Sequence, residues 1–164
     1  MKYLLFITSI LLLTLQVSAQ NLKFGPVVGG VITNQYEPEK SVLGVNLGLF
    51  LEYGKGNWAL ETDLVFLVAK GSPYRGSLIL PIHLKYYLGD IVYVKCGPTF
   101  GLKPYDMDLQ DHRRRYFVGM GCGLGCKIFK RFYVDLIYDR ALTSISYKYS
   151  TIGLSLKWNL LKTN

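Results

Sequence analysis

The chain has 164 residues, half of them hydrophobic, and 19 lysines and arginines against 11 acids give a formal charge of +8. The length bounds one domain with a single enclosed interior. The basic excess is spread rather than gathered, since most cations stand singly in alternating stretches and only Arg113, Arg114 and Arg115 form a run, which argues against nucleic acid as a partner.

Residues 1–19, MKYLLFITSILLLTLQVSA, carry one cation at Lys2, an apolar run from Tyr3 to Leu15 and small residues at Val17, Ser18 and Ala19. This reads as a cleaved signal peptide, too short to span a bilayer, followed by an exported domain at residues 20–164. With no cysteine near the cut, a lipoprotein anchor is not expected. Loss of Lys2 lowers the charge from +8 to +7.

Eight strands are expected, at about 22–33, 42–53, 58–68, 77–88, 91–102, 116–128, 132–142 and 149–160. Longer connections at 34–41, 69–76, 103–115 and 143–148 alternate with tight turns at 54–57, 88–90 and 129–131. The fold class that follows is all-β, an eight-stranded antiparallel up-and-down barrel. Strands of about 11 to 13 residues slightly exceed the length that a tilted transmembrane strand needs.

The stretch 77–102 sets the parity. Leu78, Leu80, Ile82, Leu84, Tyr86 and Leu88 share one face, and His83, Lys85 and Tyr87 the other. In the next strand Val92, Val94, Cys96, Pro98 and Phe100 oppose Tyr93, Lys95, Gly97, Thr99 and Gly101. A two-residue Gly89-Asp90 loop would swing Lys95 onto the apolar side, so a three-residue loop or a bulge is expected.

The same alternation runs through Trp58, Leu60, Thr62, Leu64, Phe66 and Val68, and through Ile152, Leu154, Leu156, Trp158 and Leu160. One face is nearly continuous hydrocarbon. The other carries Lys23, Glu52 and Lys127 together with the group expected to interlock as a charged lumen plug: Glu61, Asp63, His83, Lys85, Lys95, Asp135, Asp139 and Lys157. Charges on one face and hydrocarbon on the other invert the pattern of a soluble ligand-binding barrel and predict a transmembrane one with lipid outside and a lumen too narrow for an open pore.

Gly119, Gly121, Gly123 and Gly125 fall on the lumen side, where they leave room for large side chains from other strands. Their spacing of two, with no helix pattern after them, argues against a phosphate loop. Tyr53, Trp58, Tyr86, Phe132 and Trp158 near the short turns, and Phe66, Phe100, Tyr116, Tyr138 and Tyr149 near the long loops, form two aromatic girdles. Pro81 and Pro98 each remove a ladder donor, and a shared bulge near the rim is expected to absorb both losses. If residues 102 and 116 pair, Cys96 and Cys122 stand opposite on the lipid face. Free, small apolar cysteines are nevertheless the expectation. Cys122 and Cys126, four residues apart in one strand, cannot pair.

The segments LPIHLKYYLGD (80–90) and YVKCGPTFGL (93–102) resemble the PorT-like outer-membrane β-barrel proteins of Bacteroidota. The resemblance implies an integral outer-membrane protein. Founding members of that family act in type IX secretion and gliding.

The expected function is a structural or interaction barrel of the outer membrane, with a component of a secretion machinery as the alternative. A lipopolysaccharide-modifying enzyme is the lesser one. It would need a base and a nucleophile, for which His112 beside Asp108 and Asp111, with Ser72, Ser144 or Ser146, are the loop candidates. No specific motif accompanies them, so no enzymatic activity is expected. No cofactor or metal site is expected either, as no histidine stands at ligand spacing from the cysteines. The expected partners are membrane lipids and lipopolysaccharide, or an outer-membrane protein. The loop 103–115 is the candidate surface, with Lys103, Arg113, Arg114 and Arg115 suited to phosphate groups.

Overall fold

The computed structural model describes residues 22–36, 39–69, 76–102, 116–143 and 149–161. They form strands β1 (Leu22–Tyr36), β2 (Glu39–Lys55), β3 (Trp58–Ala69), β4 (Ser77–Leu88), β5 (Val92–Leu102), β6 (Tyr116–Phe129), β7 (Phe132–Ala141) and β8 (Tyr149–Trp158). Each strand pairs antiparallel with its sequence neighbours, and β1 also pairs with β8, so the sheet closes and leaves no edge. The all-β, eight-stranded up-and-down architecture expected from the alternation is the one observed.

Directly opposed residues trace the wall from Leu22 through Tyr53, Leu60, Leu84, Cys96, Cys122, Tyr138 and Ile152 to Ile32. The circuit returns to β1 ten residues beyond its start. Ten steps of about 3.3 Å against eight spacings of about 4.8 Å tilt the strands by roughly 40°. At that tilt a 12-residue strand such as β3 rises about 30 Å along the barrel axis.

Leu88 pairs with Val92 across Gly89, Asp90 and Ile91, the three-residue connection that parity demands, and Gly89 takes a φ of 84° there. The β2–β3 turn needs only Gly56 and Asn57, with Gly56 at φ 61°. Two expectations are corrected. The connection expected at 34–41 is mostly ladder, because β1 and β2 continue until Tyr36 opposes Glu39. The prolines share no bulge: Pro81 opposite Thr99 and Leu84 opposite Cys96 lie in one register, and the ladder lapses at Ile82 and His83 without inserting a residue. Among the described residues the register shifts only in β6, between Lys127 and Phe129 beside the β6–β7 turn.

Side chains alternate across the wall. Leu43, Leu60, Leu84, Leu124, Leu136 and Leu154 point outward, each more than half exposed. Val27, Val31, Phe50, Val65, Tyr93 and Tyr133 point inward and are buried with the charged groups. At the end of the barrel with the short turns, Trp58 lies against Tyr86 at 4.6 Å between centroids and Phe132 stacks on Trp158 at 5.9 Å. Phe66, Phe100, Tyr116 and Tyr138 are exposed toward the other end, which bears the longer connections.

Candidate functional site

The turn-end half of the lumen holds an ion-paired network. Parity and register alone set like charges side by side, with Glu52 opposite Glu61 and Lys85 opposite Lys95, an arrangement that is unfavourable unless each group finds an opposite charge elsewhere. Each does. Lys85 Nζ donates to Glu52 Oε2 at 2.5 Å and to Glu61 Oε2 at 2.6 Å. Lys95 Nζ donates to Glu61 Oε1 at 2.7 Å and to Asp135 Oδ2 at 2.5 Å. From β8, Lys157 reaches across to β3, where it meets Glu61 Oε1 at 2.7 Å and Asp63 Oδ2 at 2.8 Å, and it lies 3.1 Å from Asp135 Oδ2. Lys23 donates to Glu52 Oε1 at 2.6 Å. Four ammonium groups thus face four carboxylates, and Glu61 accepts from three of them.

Two phenols complete the network. Tyr87 donates to Glu52 Oε1 at 2.7 Å and accepts from Lys23 at 2.7 Å. Tyr93 donates to Asp135, and the Lys85 ammonium sits 3.9 Å from the Tyr93 ring centroid. Both share the parity of Lys85 and Lys95, the signal that would have selected them from sequence. Lys23 and Glu52, read on the same inward face, also belong. Gly125 explains how β5 reaches β7: a Cβ there would lie inside the Tyr93 ring and against Asp135. A bare strand lets the two residues meet over it.

Two residues expected in the plug stand apart from it. Asp139 accepts from Thr99 Oγ1 at 2.7 Å, and no lysine or arginine among the described residues pairs with it. His83 is 1 % exposed, and neither ring nitrogen has a hydrogen-bond partner. Both line a cavity of about 80 Å³ in the loop-end half of the lumen. Its walls are largely apolar, from Val27, Val31, Val65, Leu67, Ile79 and Phe117. Asn46 also lines it, with its Oδ1 buried and unpartnered.

The remaining expectations divide. Cys96 and Cys122 stand opposite on the outer face with Cα atoms 4.1 Å apart and are joined as a disulfide, which corrects the expectation that they are free. Register brought them together, as parity allowed. Cys126 is free. Lys103, Arg113, Arg114 and Arg115, the loop residues Asp108, Asp111 and His112, and Ser72, Ser144 and Ser146 lie outside the described residues. Among the described residues no group of three or more His, Cys, Asp or Glu side chains is placed to hold a metal ion.

No family model matches the chain, and no curated protein does. Solved structures do. The attachment invasion locus protein Ail of Yersinia pestis, in complex with the heparin analogue sucrose octasulfate, superimposes with a TM-score of 0.55 at 15 % identity, over 85 % of this chain and 99 % of that one. The N-terminal barrel domain of Pseudomonas aeruginosa OprF gives 0.54 at 14 % identity, over 86 % and 98 %. Neisserial surface protein A gives 0.53 at 11 % identity, over 85 % and 97 %. The chain therefore has the fold of the small eight-stranded outer-membrane barrels.

Proposed function

We propose that the chain is an integral outer-membrane barrel with a structural or interaction role. The observation that carries the reading is the inversion of the wall: leucines more than half exposed outside, and inside a network whose carboxylates and lysines are nearly all below 6 % exposed. Water would not favour such an exterior, whereas a hydrocarbon layer solvates it and leaves the charges to pair within. On this reading the ion-paired network closes the turn end of the lumen to passage. In this reading the signal peptide directs export, the short turns and both termini face the periplasm, and the longer connections face outward. The apolar belt contacts membrane lipids. Loop 103–115 meets lipopolysaccharide phosphates through Lys103 and Arg113 to Arg115, or else docks an outer-membrane protein.

The test is folding into lipid vesicles, followed by electrophoresis in dodecyl sulfate with and without boiling. A mobility that changes on boiling, with protein retained in the vesicle fraction, is the expected result. A folded monomer stable without detergent or lipid would overturn the reading. Replacing the three arginines by Ser should lower lipopolysaccharide copurification; unchanged retention would remove the lipid contact and leave the protein partner.

The resemblance of segments 80–90 and 93–102 to PorT-like barrels supports a second reading, a component of a secretion machine. That reading expects copurification with a multiprotein complex from native membranes and blocked export on deletion. A barrel without that role gives neither. Enzymatic modification of lipopolysaccharide would instead appear as an altered lipid A mass.

A further inference from the structure

We propose that the loop-end cavity binds a small apolar primary amine, its ammonium seated between Asp139 and His83. Four observations carry this. The network below is already balanced, four lysines on four carboxylates, so Asp139 is a fifth inward carboxylate whose described partner is the neutral hydroxyl of Thr99. No ammonium of the described chain lies within ion-pair distance of it. His83 lies beside it, since a Cβ built on Gly121 would approach both the Asp139 carboxylate and His83 Nε2, the latter at 3.0 Å. The bare Gly121 thus lets the Asp139 carboxylate lie over the β6 backbone with His83 Nε2 next to it, at the edge of the cavity that both side chains line.

A buried polar atom left without a partner is costly, and three such atoms, His83 Nδ1, His83 Nε2 and Asn46 Oδ1, belong to residues lining this one cavity. An ammonium carries three donors and no acceptor. The Asp139 carboxylate, the unprotonated nitrogen of His83 and the Asn46 amide oxygen are three acceptors for those three donors, and the carboxylate among them favours a cation over an anion; the imidazole N–H is not satisfied by the ammonium. Above that polar floor the Val27, Val31, Val65, Leu67, Ile79 and Phe117 walls suit hydrocarbon. A cavity of about 80 Å³ is several times the roughly 10 to 15 Å³ that a single water requires, so it takes a small guest such as a short alkylamine.

The experiment uses the folded full-length chain in detergent, with 5-fluoropentylamine observed by fluorine NMR and 5-fluoropentanol and 5-fluoropentanoate as shape-matched neutral and anionic probes. Saturable binding of the amine, displaced by hexylamine, is expected. The alcohol and the Asp139→Asn variant should each bind roughly tenfold to a hundredfold more weakly, the loss of one charge-assisted contact. Val31→Phe, which fills the wall, should abolish binding. Uptake that does not saturate and is the same in wild type and Asp139→Asn, as for micelle partition over a water-filled cavity, would overturn the proposal. Equal affinity for amine and alcohol would do the same. If Asp139→Asn loses its heat-dependent mobility, and so has not folded, the amine-to-alcohol ratio on wild type decides. Because binding is read in detergent and membrane insertion in vesicles, either reading can fail without the other.

Discussion

At the scale of single residues, the network makes unequal demands on its carboxylates. Glu61 accepts from Lys85, Lys95 and Lys157, so Glu61→Gln leaves three buried ammonium groups facing a neutral amide. Breaking a buried pair by removing one partner costs about 3 to 5 kcal/mol. Asp63 meets only Lys157, which keeps Glu61 and Asp135, so Asp63→Asn should cost about 1 kcal/mol. Urea titration of vesicle-folded protein, read by electrophoretic mobility, should therefore rank Glu61→Gln well below Asp63→Asn and wild type. Equal midpoints for the two variants would mean that the two carboxylates carry equal loads, and a wild-type midpoint for Glu61→Gln would mean that its pairs carry no stability. That these charges face inward was legible in the sequence, because period-two parity decides the face. Which lysine meets which carboxylate was not. Lys157 reaches β3 across the lumen and Lys95 reaches β7 past β6, and neither distance follows from spacing along one strand.

At the scale of elements, β6 is the strand whose composition the lumen dictates. Its inward glycines hold space for side chains of β4, β5 and β7, and Gly125 is the most crowded of them by aromatic and carboxylate together. Gly125→Val would force Tyr93 and Asp135 apart and uncouple Lys95 from β7. Overpacking of this kind costs about 1 to 3 kcal/mol. Leu124→Ala, one residue away on the outer face, removes only an outward, exposed side chain and serves as the matched control. The expected outcome is a lowered urea midpoint for Gly125→Val and a near-wild-type one for Leu124→Ala; the reverse order would show that β6 packs outward. The strand ends were less legible than the faces. Asn34, Gln35 and Tyr36 pair with Ser41, Lys40 and Glu39 above the apolar belt, where the ladder continues but hydropathy no longer alternates. Hydrogen bonding alone extends β1 and β2 there, and hydropathy carries no trace of it. The disulfide escaped for a related reason: parity admitted Cys96 opposite Cys122, but spacing along the chain does not choose between adjacent thiols and a bond.

At the scale of the whole molecule, closure and inversion have to be tested together, because a closed barrel alone is compatible with water or with lipid outside. Arginine on the outer wall separates the two. At the midplane of a bilayer an outward Arg costs about 2 to 4 kcal/mol, falling to about 0 to 1 kcal/mol near the interfaces, while on a water-exposed wall depth has no meaning. Leu136 lies midway along β7, outward and about half exposed, opposite Leu124 and Leu154 on its two neighbours. Ile91 lies in the β4–β5 turn, outward and 60 % exposed, beyond the belt. Leu136→Arg should therefore lower the folding free energy in vesicles by about 2 to 4 kcal/mol and Ile91→Arg by less than about 1 kcal/mol, as measured by urea titration. The gradient, more than either value, is the signature of lipid: a wall facing water predicts two substitutions of similar, small effect. A second gradient follows from the tilt of roughly 40°, which makes depth a property of position along the barrel axis rather than of residue number along a strand. Leu154 stands opposite Leu136 on the β7–β8 ladder, and at that tilt one interstrand step shifts height by only about 3 Å, so Leu154→Arg should cost nearly as much as Leu136→Arg; a large difference would show that the apolar belt is not continuous between the two strands.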